Sequence, residues 1–158
     1  ERGLLGSKAW VRDYPELAEK CVLNVNLDMI GSIMGKFHAC VTGEENLGSY
    51  IEYFANELGF GIWVKQGVYS SDSSPMADAG IPAISFARMA PNNTGTIHNR
   101  YDTLKLMKAE HMVKDIAFIQ AFTERMANAV HMPVKREIPE NMKERLDEYL
   151  GRKRPREA

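Results

Sequence analysis

With 158 residues, 44% of them apolar, the chain is long enough to bury one sizeable core, so a single ordinary globular domain is expected. Twenty lysines and arginines against 21 acidic residues leave a net charge of −1, which excludes the global field that recruits nucleic acid or a membrane surface. No run approaches the roughly 20 apolar residues that cross a bilayer, and the first residues lack the basic, apolar, small-residue order of an export signal, so neither a membrane partner nor a compartment is assigned.

The chain opens on Glu1-Arg2-Gly3-Leu4-Leu5-Gly6-Ser7, a glycine-rich turn running straight into a helix with no lead-in strand. Such a start reads as the interior of a longer domain. Ser7 is expected to cap a short helix through Trp10 and Val11, accepting an N–H of its first turn, and Pro15 limits that helix. Residues 21–30, branched and apolar with Asn24 and Asn26 interspersed, read as a buried strand ending at Gly31, with Asp28 at its C-terminal end.

A second strand is expected over 36–42, stopped by the turn 43–46. Leu47, Tyr50, Ile51, Phe54 and Leu58 then share one helical face that Gly59 closes. A third strand over 61–66, a short helix over 74–79 and a fourth strand over 81–86 complete the order β, β, α, β, α, β. That alternation predicts an α/β fold, a mixed and mostly parallel sheet flanked by helices.

From 108 to 130, apolar side chains at Met112, Ile116, Ile119, Phe122, Met126 and Val130 recur at helical spacing. Beyond Pro133 the composition turns to dense mixed charge. A short helix around Met142, Leu146 and Leu150 is expected there, with the basic end 152–156 as a solvated tail or an interaction patch. This divides the chain into a main unit, 1–132, and a charged C-terminal helix and tail, 133–158. Cys21 and Cys40 have no metal-knuckle or redox spacing and read as buried packing residues. His38, beside Phe37 in a strand, reads as a packing histidine with its hydrogen bonds satisfied, and His111 and His131 belong to the long helix and its end.

Chemistry is expected where α/β enzymes place it, at or beyond the C-terminal ends of strands. Asp28 follows the first strand, His98 the fourth, and Glu1 lies in the opening turn. Carboxylate oxygen and imidazole nitrogen both suit zinc, of which a catalytic ion takes about three protein ligands. The stretch 91–96, Pro-Asn-Asn-Thr-Gly-Thr, reads as a loop beside the pocket mouth.

Four motifs stand in order: Glu-x-Gly-Leu-Leu-Gly-Ser at 1–7, Asn-Leu-Asp-Met-Ile-Gly at 26–31, Ser-Asp-x-x-Pro-Met with Gly-Ile-Pro-Ala-Ile at 71–84, and Ile-His-x-x-x-Asp-Thr at 97–103. Together they resemble the M28 family of zinc peptidases. The resemblance implies a partial zinc-exopeptidase fold and an aminopeptidase with two zinc ions. Glu1 matches the family's zinc-binding glutamate, Asp28 the aspartate on the other zinc, and His98 the histidine that shares the glutamate's metal. Asp102 and Thr103 match a pair behind that histidine, orienting it or capping the turn before Leu104. In this mechanism the metal lowers the pKa of a water that attacks the scissile carbonyl, and a second metal can hold the free amino group of a peptide substrate.

The sequence also departs from the family pattern. The family's general-base glutamate precedes the one matched by Glu1, and its His-x-Asp and bridging aspartate lie further upstream. The missing N-terminal part of the same domain is therefore the expected partner, and the chain alone is expected to be inactive. Ser73 stands where many relatives carry histidine, leaving Asp72 and Tyr69 as substrate-side or structural residues. Two rivals remain: a glutaminyl cyclase with one zinc, and a non-catalytic binding domain of the same fold. An unpaired sheet edge also makes a homo-oligomer possible.

Overall fold

The computed structural model describes residues 3–90 and 97–153. Two short helices open it, α1 over Leu5–Asp13 and α2 over Pro15–Lys20. Pro15 starts α2, where its missing N–H costs nothing and its fixed φ suits the first turn. Ser7 does not cap α1. The helix begins earlier, after Leu4 in the left-handed region, and the Ser7 hydroxyl caps no first-turn amide, lying 3.2 Å from the Leu4 carbonyl.

Four strands follow: β1 over Asn24–Leu27, β2 over Lys36–Thr42, β3 over Trp63–Gln66 and β4 over Ala83–Met89. Their spatial order is β1-β4-β2-β3. β1 pairs with β4 and β3 with β2 in parallel, while β2 and β4 run antiparallel, with Cys40 opposite Ser85. The sheet is mixed and mostly parallel, as the alternation predicts. Because β1 and β4 are parallel, Asp28 and the chain leaving β4 emerge at the same end of the sheet.

β1 is shorter than the stretch 21–30. Cys21 closes α2 with its N–H on the Leu17 and Ala18 carbonyls, and past Asp28 the backbone turns through positive φ at Met29 and Gly31. Cys21 is half-buried instead of fully packed; Cys40 is buried, and both are free thiols.

Helix α3, Glu45–Glu57, buries Leu47, Ile51, Phe54 and Ala55, and the 19-residue α5, Ala109–Ala127, buries Phe118, Ile119, Phe122 and Met126. Both cover the face of the sheet that presents Phe37, Ala39, Val41, Ile84 and Phe86. The Phe60 and Phe118 rings stack at 4.4 Å between centroids, and Phe37 stacks on Phe86 at 5.8 Å. The expected stripe on α5 is rotated. Ile116 is 43% exposed and Val130, beyond the helix, is 92% exposed, whereas Phe118 and the fully buried Asp115 face inward. The stripe therefore runs 115, 118, 119, 122 and 126, which keeps the helical period but passes through an acid.

The opposite face carries α4, Ser73–Asp78, and α6, Glu140–Tyr149. Here Ile138, Met142 and Leu146 pack with Ala77 of α4 and Ala83 of β4. Each face of the sheet thus has its own apolar layer, which is why β2 and β4 are nearly continuously buried. Arg152 reaches Asp78 and Asp147, and Lys153 also pairs with Asp147, fastening the end of α6 to α4. No helix among the described residues is long and apolar enough to cross a membrane.

Candidate metal and substrate site

Asp28 is half-buried at the end of β1, and its N–H extends the ladder by one bond, to the Phe86 carbonyl at 2.9 Å. The following turn is held by Asp115 and Arg88. The Gly31 N–H donates to Asp115 Oδ2 at 2.9 Å. Arg88 donates from Nε to the same oxygen at 2.8 Å and from Nη2 to Oδ1 at 2.7 Å. Arg88 also reaches the Gly35 carbonyl at 3.3 Å, and its backbone N–H donates to Met29 O at 3.2 Å. The start of α5 closes the other side, with the Lys108 N–H on the Gly31 carbonyl at 2.9 Å and His111 Nδ1 2.9 Å from Ser32 O. Asp28 is thus presented by a turn fixed through its backbone at both flanks.

Tyr69 is half-buried in the chain leading to α4. Burial pushes the Tyr69 phenol up first; the negative charge of Asp28 adds to the shift, and Cys40 contributes after that. The Asp28 carboxylate is therefore within electrostatic reach of Tyr69. Asp72, exposed at the start of α4, accepts a 2.7 Å hydrogen bond from Ser7 Oγ and so ties α1 to α4. Beneath it, Ser71, Ser73 and Ser85 form a closed triangle of hydroxyls at 2.7–2.8 Å, and Asn26 Nδ2 donates to Ser85 at 3.3 Å. Ser73, standing where many relatives have histidine, is buried and joins α4 to β4 through this triangle.

His98 lies in an exposed turn at φ +63°, a left-handed conformation uncommon for a residue with a side chain. Asp102 follows, exposed, with its N–H on the Asn99 carbonyl at 3.0 Å. Thr103 precedes the 3-10 turn Leu104–Leu106 without a side-chain cap. Glu1, the loop 91–96 and the basic end from 154 onward lie outside the described residues.

Zinc accepts carboxylate and imidazole donors, so Asp28 and His98 are chemically suited to it. Among the described residues, no three His, Cys, Asp or Glu side chains gather as a complete metal cluster. The fit is thus one of donor type, with Asp28 and His98 as two candidate ligands.

Sequence reading missed Asp115, Arg88 and Ser85. An Asp on an apolar helical stripe is a signal for a buried partner, but the partner itself is visible only in three dimensions. His38 needs a correction as well. It is packed, 4% exposed, yet neither ring nitrogen has a hydrogen-bond partner among the described residues.

The architecture defines a class, an α/β domain with a mixed, mostly parallel sheet and an aspartate at the end of its first strand. The model of Peptidase family M28 matches residues 1–122, and the chain belongs to that family. Its fold is similar to that of a zinc aminopeptidase from Bacillus subtilis (21% identity, TM-score 0.63), covering 87% of this chain and 36% of that one. The LapA aminopeptidase of Legionella pneumophila is similar at 21% identity and TM-score 0.67, over 82% and 37% of the respective chains. An aminopeptidase from Aneurinibacillus sp. strain AM-1 is similar at 25% identity and TM-score 0.60, over 77% and 30%. The chain thus spans about a third of the length of these structures. Among curated protein sequences nothing matches it.

Proposed function

We propose that this chain forms part of a zinc-dependent aminopeptidase that removes N-terminal residues from peptides. The observation that carries the reading is the family match over 1–122 together with Asp28, the match to the family's zinc aspartate, at a strand end on a doubly anchored turn. Asp28, His98 and Glu1 are the proposed ligands, for two zinc ions in the complete site. When bound, zinc polarises the scissile carbonyl and acidifies water. The chain's own contribution is positioning: Asp115 and Arg88 fix the Asp28 turn, Ser7 and Asp72 hold α1 against α4, and Tyr69 lines the substrate side near Asp28.

Groups outside these 158 residues supply the general base and remaining ligands, so the chain by itself has negligible turnover. The test uses the protein that carries this chain and measures zinc per chain by elemental analysis, alongside hydrolysis of leucine p-nitroanilide. About two zinc ions are expected, with Asp28→Ala and His98→Ala each lowering the count. Unchanged metal content in both variants refutes the ligand assignment; peptide cleavage by the 158 residues alone with zinc refutes the division of labour.

A further inference from the structure

A cavity of about 1080 Å³ opens on the α6 side of β2 and β3. His38 and Cys40 form its floor, Trp63 and Lys65 one wall, and Arg145 and Tyr149 of α6 the other. Met89 and Ala90 line it too, at the end of the sheet where Asp28 leaves the parallel strand β1 and the Arg88 N–H bonds the Met29 carbonyl, so the cavity reaches the side of the sheet that presents Asp28.

Three observations bear on what the cavity takes. The first is His38. Both of its ring nitrogens are covered and without a partner among the described residues, and the Trp63 ring lies against it with centroids 5.0 Å apart, so the floor is ring surface and polar contacts must come from the rim. The second is charge: among the described residues around the cavity, Lys36, Lys65 and Arg145 are cations and Glu148 is an anion. Their field reaches the floor. Lys65 adds to the burial that pushes His38 down, and Lys65 and Arg145 oppose the burial that pushes Cys40 up. The rim side chains, not the imidazole, therefore carry the cavity's positive charge. The third is construction. Arg145 and Tyr149 lie beyond the family-matched residues, on a helix whose Tyr149 hydroxyl shares a 2.8 Å hydrogen bond with Ser70, next to Tyr69.

We propose that this cavity holds a carboxylate-bearing side chain of the substrate, so that the enzyme favours peptides beginning with glutamate or aspartate, with Lys65 and Arg145 as specificity-determining residues. Trp63 and Tyr149 provide flat walls for the aliphatic stem of the side chain. The inference rests on the exopeptidase reading for the orientation of the peptide, but the binding chemistry stands apart from turnover.

The test measures calorimetric binding of Glu-Ala-Ala-amide and Leu-Ala-Ala-amide to the protein carrying this chain. Amidation leaves the glutamate side chain as the only carboxylate. At least tenfold tighter binding of the glutamyl peptide is expected, with the ratio falling about tenfold in Lys65→Met and in Arg145→Met. Both residues are exposed, so truncation leaves the cores intact, and Lys20→Met serves as a control that keeps the ratio. Equal affinities in the unaltered protein, or a ratio that Lys65→Met and Arg145→Met leave unchanged, overturns the proposal. Hydrolysis of both peptides is followed in parallel. Selective binding without any cleavage upholds the acidic-side-chain site and refutes the exopeptidase reading, whereas cleavage with no selectivity does the reverse.

Discussion

Replacing Asp115 by alanine tests whether the turn presenting Asp28 depends on a buried ion pair. Asp115 is fully buried and Arg88 is 13% exposed, so removing the carboxylate leaves a guanidinium and the Gly31 N–H without their acceptor. Three hydrogen bonds of 2.7–2.9 Å are lost together. Breaking a buried pair from one side costs about 3–5 kcal/mol, because the surviving charge stays desolvated. Urea unfolding followed by circular dichroism should show a loss of that size. The double substitution Arg88→Met with Asp115→Leu should recover most of it, since apolar residues of similar volume often replace a buried pair at little cost. Hydrogen exchange supplies the local readout: in Asp115→Ala the Gly31 amide should exchange faster than amides in the middle of β2. A loss below about 1 kcal/mol, or a Gly31 amide as protected as before, would refute the claim that this pair anchors the turn.

Gly35 sits at φ +88°, where an added Cβ would lie 2.3 Å from the Met89 carbonyl oxygen, so Gly35→Ala should cost at least about 2 kcal/mol in thermal unfolding; a loss under about 0.5 kcal/mol counts against the close approach. The Cys40 thiol, pushed from an ordinary 9.0 up to about 11 by burial, has a raised folded-state pKa, so its contribution is present below about pH 9 and lost as pH climbs toward 11. The difference is about 3 kcal/mol, and Cys40→Ala should flatten the alkaline limb of stability against pH by that order; identical limbs refute it. Asp28→Asn removes one of the charges that raise the Tyr69 phenol, so Tyr69 should titrate at lower pH in an ultraviolet difference titration, and an unmoved titration places Asp28 out of reach.

The strand over Lys36–Thr42 is where the sequence predicts it, because a basic residue, a run of buried β-formers and a glycine turn bound it on both sides. Helix α3 lies within two residues of expectation for a similar reason: its apolar face repeats cleanly from Leu47 to Phe54. Errors arise where a polar group's partner is distant in sequence. Asp115 lies 27 residues from Arg88, and an apolar count along α5 prefers Ile116, which the structure leaves 43% exposed. Ser7 is a plausible cap by local rule, yet its hydroxyl serves Asp72, 65 residues away. Local chemistry is readable from the sequence; pairing that depends on strand register is not.

The same limit applies to the site. Asp28 can be found because the end of a strand is a local signal, and Tyr69 because it neighbours a motif. His38 cannot be assessed this way, since its lack of partners among the described residues depends on what β3 and α6 bring to that face. Trp63 contacts its ring from β3, with centroids 5.0 Å apart, and Arg145 and Tyr149 face the same cavity from α6. Family resemblance ends before α6, but folding does not: Met142 and Leu146 complete the apolar layer over Ala77 and Ala83. A helix needed to cover that layer necessarily walls the cavity above His38. Its exposed positions 145 and 149 can then vary without disturbing Met142 or Leu146, which separates the residues that hold the helix in place from those that meet a ligand.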